Sequence, residues 1–200
     1  MGHKFAEIAF TDAVKRHQED AGTRASYARM EAREDYNNRL GPHEAQFIAA
    51  RDSFFMATVS ETGWPYMQHR GGPVGFLKVL DERRLAFADY RGNRQYVSLG
   101  NLSQNERVSL FFMDYPNRTR LKLLGRVRVI APEEEALLAR LSPDAGYRAR
   151  VERGFEITLV GFDWNCPQHI TPRYSQAEVE GEFLRLQNRI RELEDQLAGS

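Results

Sequence analysis

Four stretches of this sequence concentrate side chains able to bind or react. The first is Gln68-His69-Arg70-Gly71-Gly72-Pro73, where an amide, an imidazole and a guanidinium precede two glycines. Glycine has no Cβ, so a flat ligand can approach the main chain closely there. A hairpin end with surface charges accounts for the same residues. The second is Asp89-Tyr90-Arg91-Gly92-Asn93-Arg94-Gln95. A strand is expected to end here and a helix to begin near Asn93. The first N–H groups of a helix lack intrahelical partners and sit at the positive end of its dipole, which suits a phosphate. Arg91 and Arg94 flank that point, and a guanidinium can hold phosphate through two N–H groups. The plainer alternative is a capped helix on a basic surface. The third is Tyr115-Pro116-Asn117-Arg118-Thr119-Arg120-Leu121-Lys122. Its three basic residues alternate and so share one face of a strand, either for an anionic ligand or for a salt-bridged rim. The fourth runs from Asp163 to Tyr174 and holds Trp164, Cys166, Gln168, His169 and Arg173 in a segment interrupted by two prolines. Proline keeps such a segment out of a ladder, and loops on rigid scaffolds carry function. Cys166 with His169 would lack a third, orienting group for nucleophilic catalysis, and a lone cysteine is commonly a small packed side chain. His69 and His169 would need a further metal ligand that no spacing supplies, so no metal is expected.

Composition narrows the setting. A chain of 200 residues can build one domain with a sizeable core. Lys plus Arg and Asp plus Glu are 28 each, so no net field points to nucleic acid or a membrane surface. The start carries no signal-like apolar run, and nothing approaches the roughly 20 apolar residues of a membrane span. The single cysteine cannot form an internal disulfide. These features fit a soluble, cytoplasmic protein with neither nucleic acid nor membrane as partner.

The elements that must position the four stretches are mostly strands. Ser53–Ser60 and Trp64–His69 are rich in β-branched and aromatic residues and joined by Glu61-Thr62-Gly63, which reads as a hairpin. Further strands are expected at 84–90, 107–115, 120–130 and 155–163. Short helices are expected from Thr11-Asp12 onward, over about 26–37 (or a mobile arm), 44–51, 93–102 and 132–141, the last with Pro132 in its first turn. Six strands joined mainly by hairpins, without βαβ alternation or a dinucleotide-binding glycine pattern, predict a small closed or nearly closed antiparallel barrel. The class is mainly β, or α+β by helix content. Three parts are expected: a helical arm over 1–40, the barrel over 41–174 and an amphipathic helix over 175–200. In that helix Val179, Phe183, Leu186, Ile190, Leu193 and Leu197 recur at steps of three and four. The stripe fits either a helix packed on its own barrel or a short coiled coil across a dimer.

The pieces from about Gly41 to Arg173 resemble, in this order, the pyridoxamine 5′-phosphate oxidase-like superfamily of FMN-binding split β-barrels. The resemblance is closest to the branch known for FMN binding alone. Its carriers are the hairpin from Ser53 to Tyr66, then His69-Arg70-Gly71-Gly72-Pro73, Leu85 to Asn93, Asn105 to Asp114 and Gly125-Arg126-Val127-Arg128-Val129. The resemblance implies a homodimer of six-stranded split barrels with FMN in each of two clefts between them. It sets the flavin ring against Gln68, His69, Arg70 and Gly71, and the phosphate at Asp89, Tyr90, Asn93, Arg94 and Gln95, with Arg94 as the phosphate-binding arginine. The oxidases have a lysine after that arginine; this chain has Gln95, and Arg91 or Arg118 would supply the missing charge. Trp164, Gln168 and His169 would reach the flavin of the other subunit. The C-terminal tryptophan-arginine and arginine-leucine-histidine pattern that grips pyridoxamine phosphate is not intact, with Arg173 a stray candidate, so vitamin B6 oxidation is not implied. The activity implied is oxidoreduction of a small molecule, with hydride reaching flavin N5 from substrate or NAD(P)H and Arg70 or His69 beside the N1–C2 edge. The competing readings are a non-catalytic or sensory flavin module, and a split barrel that takes haem or a deazaflavin.

Overall fold

Residues 3–34, 37–142, 146–164 and 167–198 are described in the computed structural model. Among these described residues, seven helices and seven strands follow in the order α1 (Lys4–Ala9), α2 (Asp12–Asp20), α3 (Arg24–Glu31), α4 (Pro42–Ala49), β1 (Ser53–Val59), β2 (Pro65–Gly71), β3 (Lys78–Asp81), β4 (Arg84–Tyr90), α5 (Val97–Gln104), β5 (Arg107–Asp114), β6 (Thr119–Ile130), α6 (Glu135–Leu141), β7 (Val151–Trp164) and α7 (Gln176–Ala198). The strands form one sheet in the order β2-β1-β5-β6-β7-β4-β3. This is the antiparallel, mainly β architecture expected, with one strand more. The extra strand is the four-residue β3, which pairs with β4 through a register shift between Val79 and Asp81. It is too short to show an alternating pattern.

Local chemistry explains the elements that hold the rest. The hairpin of β1 and β2 closes through Gly63, whose φ of 87° suits a residue without Cβ, and runs from Val59 opposite Pro65 to Ser53 opposite Gly71. In β1 every second residue, Phe54, Met56 and Thr58, is buried. Phe54 meets Phe76, Phe87 and Phe112 at ring distances of 5.6, 5.3 and 5.3 Å, and this aromatic cluster is the centre of the core. β4 departs from alternation, because Leu85, Ala86, Phe87 and Ala88 are all buried. Leu85 and Phe87 face the aromatic core, while Ala86 and Ala88 lie in a second cluster with Ile130, Leu138 and Leu141 under α6.

Several helices differ from expectation. The helical arm begins earlier than Thr11-Asp12, with α1. α3 ends at Glu31, α4 starts at Pro42, α5 starts at Val97 and not near Asn93, and α6 starts at Glu135 and not at Pro132. β7 begins at Val151, four residues before its expected start. Among the described residues no helix is long and apolar enough to cross a membrane.

The chain divides into two units, each described separately. One holds the described residues up to Met113 and from Arg120 to Trp164. The other holds Asp114–Thr119 and the described residues from Pro167 onward. In the second unit, the Asn117 backbone N–H and side-chain amide both donate to Asp114, and the Arg173 guanidinium lies 5.0 Å from the Tyr115 ring centre. Before α7, the Glu178 carboxylate accepts from Ser175 N–H and Oγ, while the Glu178 N–H donates back to Ser175 Oγ, a reciprocal cap. No residue of α7 is buried.

α4 carries a pH-sensitive clasp. Glu44 Oε2 accepts from the Gly41 N–H at 2.9 Å, and its Oε1 accepts from the Trp164 indole N–H at 2.9 Å. Burial alone would raise this carboxyl, but the donors, Trp164 foremost, outweigh it and hold its pKa below the ordinary 4.5. A depressed folded-state pKa adds stability above the unfolded value, which is lost as pH falls through the folded one. Glu44→Ala is therefore expected to cost roughly 1–2 kcal/mol at neutral pH. That deficit should shrink in denaturant titrations carried below pH 4.5.

Candidate functional site

One face of β2 and the end of β4 frame a cleft of about 270 Å³. Strand alternation aims Tyr66, Gln68 and Arg70 to the same side of β2, and these three line the cleft. The opposite wall is the end of β4 with Asp89 and Tyr90, the loop carrying Asn93, Arg94 and Gln95, and the first turn of α5. Glu152 and Phe155 of β7 also line it. The Ser98 hydroxyl of α5 donates to Gln68 Oε1 at 2.8 Å, and Asn101 of the same helix donates to Thr58 of β1 at 2.9 Å. These bonds fix α5 against the hairpin.

The charged wall is a chain of ion pairs. Arg70 Nη1 donates to Asp89 Oδ1 at 2.7 Å, both side chains being only 13 % exposed. Arg153 lies 3.6 Å from the other Asp89 oxygen and 3.0 Å from Glu152, and Arg91 reaches Glu152 at 3.8 Å. The Tyr96 hydroxyl donates to Glu152 at 3.3 Å and accepts from Arg94 Nε at 3.2 Å. Arg70 rests 5.4 Å from the Phe155 ring centre and 5.7 Å from that of Phe87. Burial pushes the Asp89 carboxyl up against the pull of Arg70 and Arg153, and burial likewise lowers Arg70. Four guanidinium groups face two carboxylates in this chain of pairs.

The loop between β4 and α5 accounts for the late helix start. Arg94 and Tyr96 both take positive φ, 62° and 55°, which is sterically costly for residues with a Cβ. Tyr96 is the N-cap of α5 and makes no side-chain cap bond, so it leaves the first-turn N–H groups uncapped beside the cleft. Arg70 Nε and the Tyr90 hydroxyl are buried without a hydrogen-bond partner among the described residues. Uncapped donors, orphaned buried polar atoms and surplus positive charge fit a phosphate-bearing ligand.

Of the residues expected at a site, Gln68, Arg70, Asp89, Tyr90, Asn93, Arg94 and Gln95 meet in this cleft. His69 and Gly71 do not line it. His69 is exposed on the other face of β2, edge-on to Phe55 across the hairpin at 5.6 Å. The space in front of Gly72 is taken by Phe76, whose ring a Cβ there would meet at 2.7 Å, so packing alone accounts for that glycine. Trp164 packs edge-on against Phe47 of its own subunit at 4.8 Å while bound to Glu44. Arg118, with φ 51°, and the exposed Gln168 and His169 belong to the second unit. Of the other alternating basic residues, Lys122 pairs with Asp163 at 2.8 Å, as a salt-bridged rim would have it. The reading of Cys166 as a nucleophile falls outside the described residues, and among these no group of three potential metal ligands occurs. Sequence reasoning missed Tyr66, Ser98, Glu152 and Arg153. Alternation along β2 would have found Tyr66, and an earlier start for β7 would have found the last two.

The family model described as pyridoxamine 5′-phosphate oxidase matches residues 40–158, more than half of the sequence, and the chain belongs to that family. A curated pyridoxine/pyridoxamine 5′-phosphate oxidase from Proteus mirabilis is 34 % identical over 79 residues, 40 % of this chain. The match spans 33 % of that protein's length. Among solved structures, HupZ from Group A Streptococcus is similar with a TM-score of 0.49 at 12 % identity, covering 68 % of this chain and 100 % of that one. An FMN-binding protein from Syntrophomonas wolfei is similar with a TM-score of 0.45 at 12 % identity, covering 74 % and 97 %.

Proposed function

We propose that this chain binds FMN and that the cleft between β2, β4 and α5 receives its phosphate-bearing end. The observation that carries the reading is the uncapped first turn of α5 opening beside Arg94 into a cleft whose ionic wall has more guanidinium than carboxylate groups. A dianionic phosphate meets donors and positive charge there without displacing an existing cap. Membership of the pyridoxamine 5′-phosphate oxidase family supports a flavin as the bearer of that phosphate. Tyr66, Gln68 and Arg70 are the β2 side chains available to the rest of the cofactor, and Arg70 is held in place by Asp89 and the Phe155 face. When bound, FMN would supply two-electron chemistry at N5, which this reading assigns to oxidoreduction of a small molecule, with NAD(P)H as a donor to test.

In the same reading the chain is a homodimer. Trp64, just before β2, and Met67 on β2 are 76 % and 64 % exposed at one end of the strand order, and offer apolar surface for a second copy to cover. Arg118, Gln168 and His169 are the residues proposed to reach the partner's flavin. Trp164, clasped by Glu44, is left out of that role.

The test is optical. Protein as purified, or after FMN is added and excess removed, should show the two visible and near-ultraviolet flavin bands, and heat should release a compound of the mass of FMN. Arg94→Ala should weaken FMN binding roughly tenfold or more, read by quenching of flavin fluorescence. A preparation that stays colourless after incubation with excess FMN would overturn the reading. Repeated turnover with NAD(P)H and an acceptor separates an oxidoreductase from a module that merely holds flavin.

A further inference from the structure

α7 shows a continuous apolar face with nothing buried along it. Phe183, Leu186, Ile190, Leu193 and Leu197 are between 42 % and 78 % exposed over 23 helical residues. With Val179 they step by four, three, four, three and four, a heptad with Val179, Leu186 and Leu193 at d and Phe183, Ile190 and Leu197 at a. We infer that α7 pairs in parallel and in register with α7 of a second copy of this chain, forming a two-stranded coiled coil. The inference stands apart from the flavin reading.

Two features of the helix select this partner and this orientation. Ile190 is β-branched at a, with Leu186 and Leu193 at d on either side, the combination that favours two parallel strands. The flanking charges agree. In a parallel pair, Arg189 at g faces Glu194 at e of the partner helix, and symmetry makes that attraction twice. An antiparallel pair that matches the same apolar layers would set Arg189 against Arg189 and Glu180 against Glu194, so like charges would meet on both flanks. In the single chain, Arg189 lies 3.0 Å from Glu192 of its own helix, and Arg185 pairs with Glu182. These i,i+3 pairs stiffen the isolated helix and lie beside the seam.

The test uses the full chain with its sole cysteine removed by Cys166→Ser and a new thiol added on α7. In register, two d positions come within the Cα separation a disulfide tolerates. Leu193→Cys should therefore cross-link to itself under mild oxidation at least about tenfold faster than Asp195→Cys on the far side of the helix, read on a non-reducing gel. Adding Arg189→Glu should slow that cross-link, and adding Glu194→Arg to it should restore the rate. Equal rates for the two thiols would overturn the inference. So would cross-linking confined to mixtures of Phe183→Cys with Leu193→Cys, the signature of antiparallel helices. Both thiol positions are exposed in the single chain, so neither substitution disturbs the core, and the flavin spectrum of the same samples reports on the cleft separately.

Discussion

Arg70→Ala is expected to destabilise the protein by about 3–5 kcal/mol, because it strands a buried carboxylate and not because the ion pair was strongly favourable. Arg70 and Asp89 sit 2.7 Å apart with 13 % of each side chain exposed. After the substitution Asp89 keeps, among the described residues, the Arg153 guanidinium at 3.6 Å from its other oxygen. Its carboxyl is already pushed up by burial, and loss of the largest opposing charge pushes it further. A carboxyl whose folded pKa exceeds its unfolded one favours the fold while protonated. That contribution is present below the unfolded value and lost as pH rises through the folded one. The deficit should therefore be largest near neutrality and shrink on acidification. Denaturant midpoints of Arg70→Ala at pH 7 and pH 5 measure this directly. The double variant Arg70→Met with Asp89→Leu should recover most of the loss, since it removes both charges and keeps apolar volume. A double variant no more stable than Arg70→Ala would refute the account.

Phe155→Ala carries the second large effect. Phe155 is fully buried, its ring lies 5.4 Å from that of Phe87, and it lines the cleft beneath Arg70. Truncation of a buried phenylalanine removes apolar area and leaves a void, at a cost of about 3–5 kcal/mol. Phe155→Leu keeps most of the volume and should cost less than half as much. Urea unfolding of the pair tests the packing. FMN titration of Phe155→Leu, which should stay folded, tests whether the surface under Arg70 also matters to the ligand. Equal stability losses for the two variants would show that a ring is needed there and not merely volume.

How far the sequence could be read follows from which physical signals are local. The β1–β2 hairpin was legible because apolar alternation, aromatic content and Gly63 agree over a dozen residues. The stripe of α7 was legible for the same reason. β3 was not, since four residues carry no period. The start of α5 was misplaced because two residues with full side chains, Arg94 and Tyr96, adopt the left-handed region, for which neither side chain is a cue. At the cleft, the basic and polar residues after β4 were recognisable from type alone, whereas the two faces of β2 were merged. Gln68 and Arg70 point to the cleft, and His69 and Gly71 do not. Arg153 was invisible for a different reason. Its role depends on the pairing of Asp89 with Arg153 across β4 and β7, a contact 64 residues apart in the chain.

Ala86 and Ala88 give β4 a particular part in any adaptation of this site. With phenylalanines on one side and α6 against small side chains on the other, the strand is packed on both faces up to Asp89, where its register with β7 shifts. The rim that follows it, from Arg91 to Tyr96, is wholly exposed and outside the ladder. A ligand of different shape would thus be accommodated by redrawing this rim at Gly92, Asn93 and Gln95, with Arg70, Asp89, Glu152 and Arg153 retained as a fixed datum. Libraries seeking new specificity should concentrate there.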